Sequence, residues 1–225
     1  LAAATINTFG GDITIRGGTA DGTSGCGTSY SCTAGYASYA YGTDSKGIRL
    51  LSSLNAAGGN IALYGRGNPT STTAGEGIVI DFAGDALSTS GAGTITLVGV
   101  STGAQRAIYH AQGNILADTG LISITGSALD TSAYSGYGMF AGSITSNGAL
   151  SISGTGGTNE HAVYILGTGS IVVAGDITID GQNANRKWGV SIEGSKVVQT
   201  TAGNISVTAV GTGGFYLVGS LIAGN

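Results

Sequence analysis

Charge is what this 225-residue chain has least of: Asp, Glu, Lys and Arg make up 9% of it, with a formal net charge of −4. Its eight Lys and Arg are scattered and build no basic stripe, so no nucleic-acid partner is expected. Proline occurs once, at Pro69, and the glycines follow no Gly-X-Y register, which excludes a collagen-like triple helix. No apolar run approaches the ~18 residues of a spanning helix, so no membrane insertion is expected. A basic stretch followed by an apolar one, the mark of a signal segment, is also missing. The chain opens and closes inside its own repeat, Gly224-Asn225 being like the start of another turn. The expectation is a segment of a longer secreted protein.

Cysteine is nearly as scarce. Cys26 and Cys32 stand close together in Cys-Gly-Thr-Ser-Tyr-Ser-Cys, and a local disulfide closing a surface loop is the expected reading. Two cysteines with no histidine near them in sequence do not complete a zinc site, and their spacing is not that of a C-x-x-C redox pair. A disulfide would place the protein outside the reducing cytosol.

What the chain has in quantity is glycine, 43 residues, with Ser, Thr, Ala and Asn filling much of the rest. Disorder is not expected, because 41% hydrophobic residues at regular intervals can bury a core. Glycine in this quantity suits a body with a tight turn at every corner, where positive φ costs least.

The intervals are the main signal. Apolar-polar-apolar triplets recur at Ile13-Thr14-Ile15, Ile61-Ala62-Leu63, Ile95-Thr96-Leu97, Ile122-Ser123-Ile124, Leu150-Ser151-Ile152, Ile177-Thr178-Ile179 and Ile205-Ser206-Val207. From Ile61 onward the first members are 34, 27, 28, 27 and 28 residues apart. Such a period indicates a solenoid, each repeat burying its apolar face against its neighbours. Within a repeat, three short strands alternate with turns, as in Gly203 to Thr208, Gly214 to Leu217 and Ser220 to Ala223. Alternation turns the outer residues of each triplet inward and the middle one outward.

The predicted fold is all-β: a right-handed parallel β-helix of three-strand coils, about 27–28 residues per repeat, running through 1–225 as one body of seven to eight coils. At a rise of about 4.8 Å per coil the rod is roughly 35–40 Å long. Ile13, Ile61, Ile95, Ile122, Leu150, Ile177 and Ile205 form one inward file. Asp12, Asn60, Thr94, Asp176 and Asn204 precede it as turn residues that bond nearby backbone.

The Gly-Asn-Ile-x-Leu and Gly-Asp-Ile-Thr-Ile units, at Gly59 to Leu63 and Gly175 to Ile179, resemble the repeats of filamentous-haemagglutinin-type exoproteins. These are large bacterial surface adhesins exported by two-partner secretion and folded as right-handed β-helices. The resemblance covers nearly the whole chain and implies a secreted protein of the bacterial cell surface. The family's secretion module carries Asn-Pro-Asn-Gly or Asn-Pro-Asn-Leu; neither occurs here, and Asn68-Pro69-Thr70 reads as a turn. The segment therefore resembles the shaft of such an adhesin.

The first repeat is about 20 residues longer than a regular coil, and the excess forms an insertion at 17–46. It holds both cysteines and Tyr30, Tyr36, Tyr39 and Tyr41, residues suited to contact a glycan or protein receptor on a host or bacterial surface. The alternative is a loop that folds onto the shaft and covers it. The corners between first and second strands vary in every coil and bring Tyr134 and Tyr137 toward the same edge, which makes them candidate ligand-binding residues as well. A file of Tyr109, Phe140, Tyr164, Ser191 and Tyr216 on the second strand reads either as a stabilising ladder or as a carbohydrate-docking face.

No catalytic residue, metal ligand or cofactor is expected. The middle positions of the first strands carry no acid, whereas a glycosidase needs paired carboxylates on one face. Asp81 and Asp85 frame a turn at Phe82-Ala83-Gly84, and His110 reads as a structural inward histidine. The function expected is a structural shaft of a secreted adhesin, not an enzyme. A self-associating rod whose ends pair with other copies stands second, and a polysaccharide-degrading β-helix enzyme third.

Overall fold

The structure, a computed structural model, describes residues 5–16, 46–67, 75–101, 105–129, 134–156, 161–183 and 187–224. Every named element among them is a β-strand, and the strands pair in parallel. The first side of the molecule stacks Ile13–Ile15, Ile61–Arg66, Ile95–Ser101, Ile122–Ala128, Leu150–Gly156, Ile177–Asn183 and Ile205–Val210 into a seven-stranded sheet. Its register joins Ile13, Ile61, Ile95, Ile122, Leu150, Ile177 and Ile205 in the file that the spacing predicts.

The second side carries Ile48–Leu50, Tyr137–Met139, Val163–Ile165, Val190–Ile192 and Phe215–Leu217. The third carries Ile6–Asn7, Leu54–Asn55, Ser143–Ser146, Ser170–Val173, Val197–Thr200 and Ser220–Ile222. Two long strands, Ile78–Ser88 and Ile108–Ala117, run through both sides and join them in one 13-stranded sheet. The chain is thus a parallel β-solenoid. Five successive turns between Ile95 and Ile222 hold unbroken register on all three sides, and the strands at Ile13 and Ile61 extend the stack.

The irregular step lies between Ile78–Ser88 and Ile108–Ala117, whose pairing shifts around Asp81 and Asp85. Residues 82–84, which read as a turn, are instead a bulge inside a continuous strand. The extra residues carry the chain round the corner between second and third sides without ending the ladder. Asp81 is held there by Arg49 Nη2 and Gln112 Nε2, each at 3.0 Å, and Asp85 by Asn114 Nδ2 at 2.8 Å.

Inward residues of the three sides meet in one aliphatic core, with Ile61, Leu63, Ile95, Leu97, Ile108, Ile115, Ile122 and Ile144 fully buried. Each such side chain contributes roughly 1.5–3 kcal/mol relative to exposure. The corner before the first side is tied by polar ladders between turns. Asp12 Oδ1 accepts from the Asn60 backbone N–H at 2.7 Å, Asn60 Oδ1 from Thr94 N–H at 2.9 Å, and Asp176 Oδ1 from Asn204 N–H at 2.8 Å. These residues serve the corners, as their sequence positions suggest, and do so by bonding the next turn.

One glycine file answers a demand other than positive φ. Gly65, Gly99, Gly126, Gly154 and Gly181 stand opposite one another on the first side, and none has a left-handed φ. A Cβ on Gly126 would drive into the carbonyl oxygen of Gly136, and the others meet Gly77, Ala107, Ala162 and Gly189 in the same way. The first strand and the start of the second touch backbone to backbone, and only glycine allows that approach.

Ile122→Asp is expected to destabilise the chain by about 4 kcal/mol or more, because it places a carboxylate in the sealed file. An unchanged denaturation midpoint would show that this face is not interior. Gly126→Ala should cost about 2 kcal/mol, while Thr125→Ala on the exposed neighbour stays within about 0.5 kcal/mol. Equal effects of the two substitutions would contradict the close approach.

Candidate functional site

Tyr30, Tyr36, Tyr39 and Tyr41 lie outside the described residues, as do Cys26 and Cys32. The described residues hold neither cysteine and no disulfide. The tips of the variable corners, 68–74, 102–104, 130–133, 157–160 and 184–186, also lie outside them. Tyr134 and Tyr137, which flank one such corner, are described, and they part company.

Tyr137 is a core residue, which corrects its assignment as a candidate ligand contact. It opens the second-side strand Tyr137–Met139, pairs with Ile108 and Val163, and is fully buried. Its phenol is pushed up by burial, and its hydroxyl donates to His110 Nδ1 at 3.2 Å. His110 in turn donates from Nε2 to the Gly113 carbonyl at 2.9 Å, which fixes the tautomer by its partners. Burial lowers the His110 pKa to about 4, the Gly113 bond opposing and the nearby Lys196 charge reinforcing the shift. Lys196, also buried, sends Nζ back two turns to the Gly142 carbonyl at 3.0 Å, and burial lowers its pKa to about 8. The second-to-third corner turns carbonyls inward, and His110 and Lys196 satisfy them. Sequence reasoning missed Lys196, since an isolated lysine beside a strand reads as exposed. Its only signal is that it replaces Gly142 and Gly169 in their own register file.

The outward face of the second side is where side chains of chemical interest gather. Register sets Tyr109, Gly138, Tyr164, Ser191 and Tyr216 in one file. Phe140, placed in this file by sequence, stands two residues beyond Gly138. Its ring nevertheless fills the gap that Gly138 leaves, 5.2 Å from Tyr109 and 5.8 Å from Tyr164, edge to face with both. Arg106 lies over Gly138, where a Cβ would strike its side chain. Its guanidinium sits 5.1 Å from the Tyr109 and Tyr134 ring centres and 4.7 Å from that of Phe140. Tyr134 is half-buried and forms one wall of this cation–ring cluster. Further along, His161 packs edge-on to Tyr164 at 4.8 Å and Trp188 stacks on Tyr216 at 5.0 Å.

Polar groups are set among these rings. Ser191 Oγ donates to Glu193 Oε1 at 2.6 Å, and His161 Nε2 stands 3.7 Å from the same oxygen. His161 Nδ1 accepts the Trp188 backbone N–H at 3.3 Å, so Nε2 carries the proton. Burial lowers the His161 pKa, with Glu193 opposing. Serine, histidine and glutamate here do not form a nucleophilic triad. The serine proton is held by the carboxylate, the histidine has no free base nitrogen facing Ser191, and Ser191 is fully buried. Among the described residues no three of His, Cys, Asp and Glu converge where they could hold a metal ion. What the face can do is present flat rings interleaved with hydrogen-bonding groups.

No family model, no curated protein and no solved structure matches this chain.

The interior histidine predicts a pH dependence. Its folded pKa of about 4 lies below the ordinary 6.5, so between these values the unfolded chain takes up a proton that the native chain refuses. Stability is full above pH 6.5 and falls as pH drops through this window, by about 3 kcal/mol at pH 4. Urea denaturation from pH 7.5 to 4 should show this loss, reduced in His110→Gln. An equal acid loss in that variant would assign it elsewhere.

Proposed function

We propose that this chain is a rigid shaft segment of a secreted, adhesin-type protein of the bacterial cell surface, of the filamentous-haemagglutinin kind exported by two-partner secretion, and that it is not an enzyme. One observation carries the reading: five successive turns in unbroken register enclose an aliphatic core, so the body is built for length and stiffness. Two further features support it. The carboxylates Asp12, Asp81, Asp85 and Asp176 are engaged in ties between turns. The insertion at 17–46, with its four tyrosines and a Cys26–Cys32 disulfide, is in this reading the recognition loop for a surface glycan or protein.

The self-associating rod remains the second reading because one observation favours it. Among the described residues nothing pairs with the outer edges of Ile205–Val210, Phe215–Leu217 and Ser220–Ile222. Phe215 and Leu217 of that turn are 37% and 42% exposed, where their register partners Val190 and Ile192 are buried.

Sedimentation across a hundredfold concentration range separates the two. A shaft segment runs as an elongated monomer throughout, whereas concentration-dependent polymers would replace the shaft with the filament. Excision of one period, residues 150–176, joins Ala149 to Ile177 in the same register and should leave a folded, shorter rod. Loss of the cooperative transition in that deletion would contradict modular stacking.

A further inference from the structure

The aromatic face of the second side is built more carefully than a stabilising ladder requires. Trp188 lies across Gly213, where a Cβ would strike its indole, and Arg106 lies across Gly138 in the same manner. Two glycines thus leave room in which these two side chains recline. Ser191, whose position points outward, is fully buried beneath this layer, and Val79 in the same file is nearly so. The result is a row of half-buried rings, at least one in each turn, with Tyr216 the most exposed. Along it Tyr109, Phe140 and Tyr164, one from each successive turn, follow one another edge to face at 5.2 and 5.8 Å, Trp188 of the next turn stacks on Tyr216 of the last at 5.0 Å, and His161 meets Tyr164 within one turn at 4.8 Å. The intervals from turn to turn are close to the ~4.8 Å that separates parallel strands.

We propose that this face, centred on Tyr164, Trp188 and Tyr216 with Glu193 at its margin, docks an extended neutral oligosaccharide. The inference goes beyond the shaft reading and does not require it. A hexose ring has an apolar C–H face that lies on an aromatic ring and a rim of hydroxyls that meets carboxylate and imidazole groups. A linear glycan repeats along its length as this face does, so successive units meet successive rings and weak contacts add. Charge complementarity selects a neutral chain. Arg106 is enclosed by three rings, Glu193 carries one negative charge, Lys187 one positive, and His161 is held neutral by burial. The net charge of −4 disfavours a polyanion.

Trp188 is the single tryptophan of the chain, so its fluorescence reports on the face directly. The experiment titrates the folded chain with cellohexaose, xylohexaose and mannohexaose, with a heparin hexasaccharide as the polyanion. The expected result is a saturable fluorescence change with at least one neutral chain, insensitive to salt, and weakened about tenfold or more in Tyr216→Ser and in Tyr164→Ala. Tyr216 is 38% exposed, so its replacement leaves the fold in place, which circular dichroism verifies for both variants. Three results would overturn the proposal: no saturable change with any neutral chain, binding undiminished in folded Tyr216→Ser, or a salt-sensitive preference for heparin.

Discussion

The constraint on which the rest depends is the parallel, in-register stacking of each turn on the one before. Ile61 must meet Ile95, Ile95 must meet Ile122, and the same must hold on the second and third sides. A parallel ladder fixes the length of each side, so extra residues can enter only at corners or as a bulge. The insertion at 17–46, the variable corner tips and the bulge at Asp81 to Asp85 all fall in those permitted places. Everything chemical on the molecule is consequently repeated along one axis, and function must be read from files of residues.

Two kinds of file result. Inside, aliphatic rows exclude water, and the few polar groups admitted serve the backbone: His110 and Lys196 donate to carbonyls that the second-to-third corner turns inward. Their charged forms are disfavoured by the same burial that stabilises the aliphatic rows, so the core links stability to pH. Outside, the second side carries rings whose spacing the sheet dictates. Stability and surface presentation therefore share one origin. The ladder that seals Val163 and Ile165 on the inside of their strand also sets Tyr164 beside Phe140 and His161 on the outside.

The first side was legible because its signal is redundant: seven triplets of aliphatic-small-aliphatic at near-constant intervals leave one register. The second side was legible where it reads Ile-Arg-Leu or Val-Tyr-Ile, and illegible at Tyr137-Gly138-Met139. There the alternation is carried by a tyrosine and a methionine around a glycine, so the strand resembled loop, Tyr137 resembled a surface contact and Phe140 slipped into the wrong file. Lys196 was hidden because its burial depends on a partner two turns away. The glycine file at Gly65 to Gly181 was read only as turn glycine, since close backbone approach between two sides exists only once the corners are folded.

Equivalent positions of successive turns are separated by one strand spacing along the stack. Distances between nitroxide pairs measure this directly, in a chain whose two native cysteines are replaced by serine. With one label at the exposed middle position Thr14 and the other at Ser206, six steps away in register, the account predicts about 29 Å. Moving the second label to Thr178 should shorten the distance by about 5 Å, and to Ser151 by the same amount again. Distances that fail to fall in equal steps would contradict the stacked register and, with it, every file of residues on which the functional reading stands.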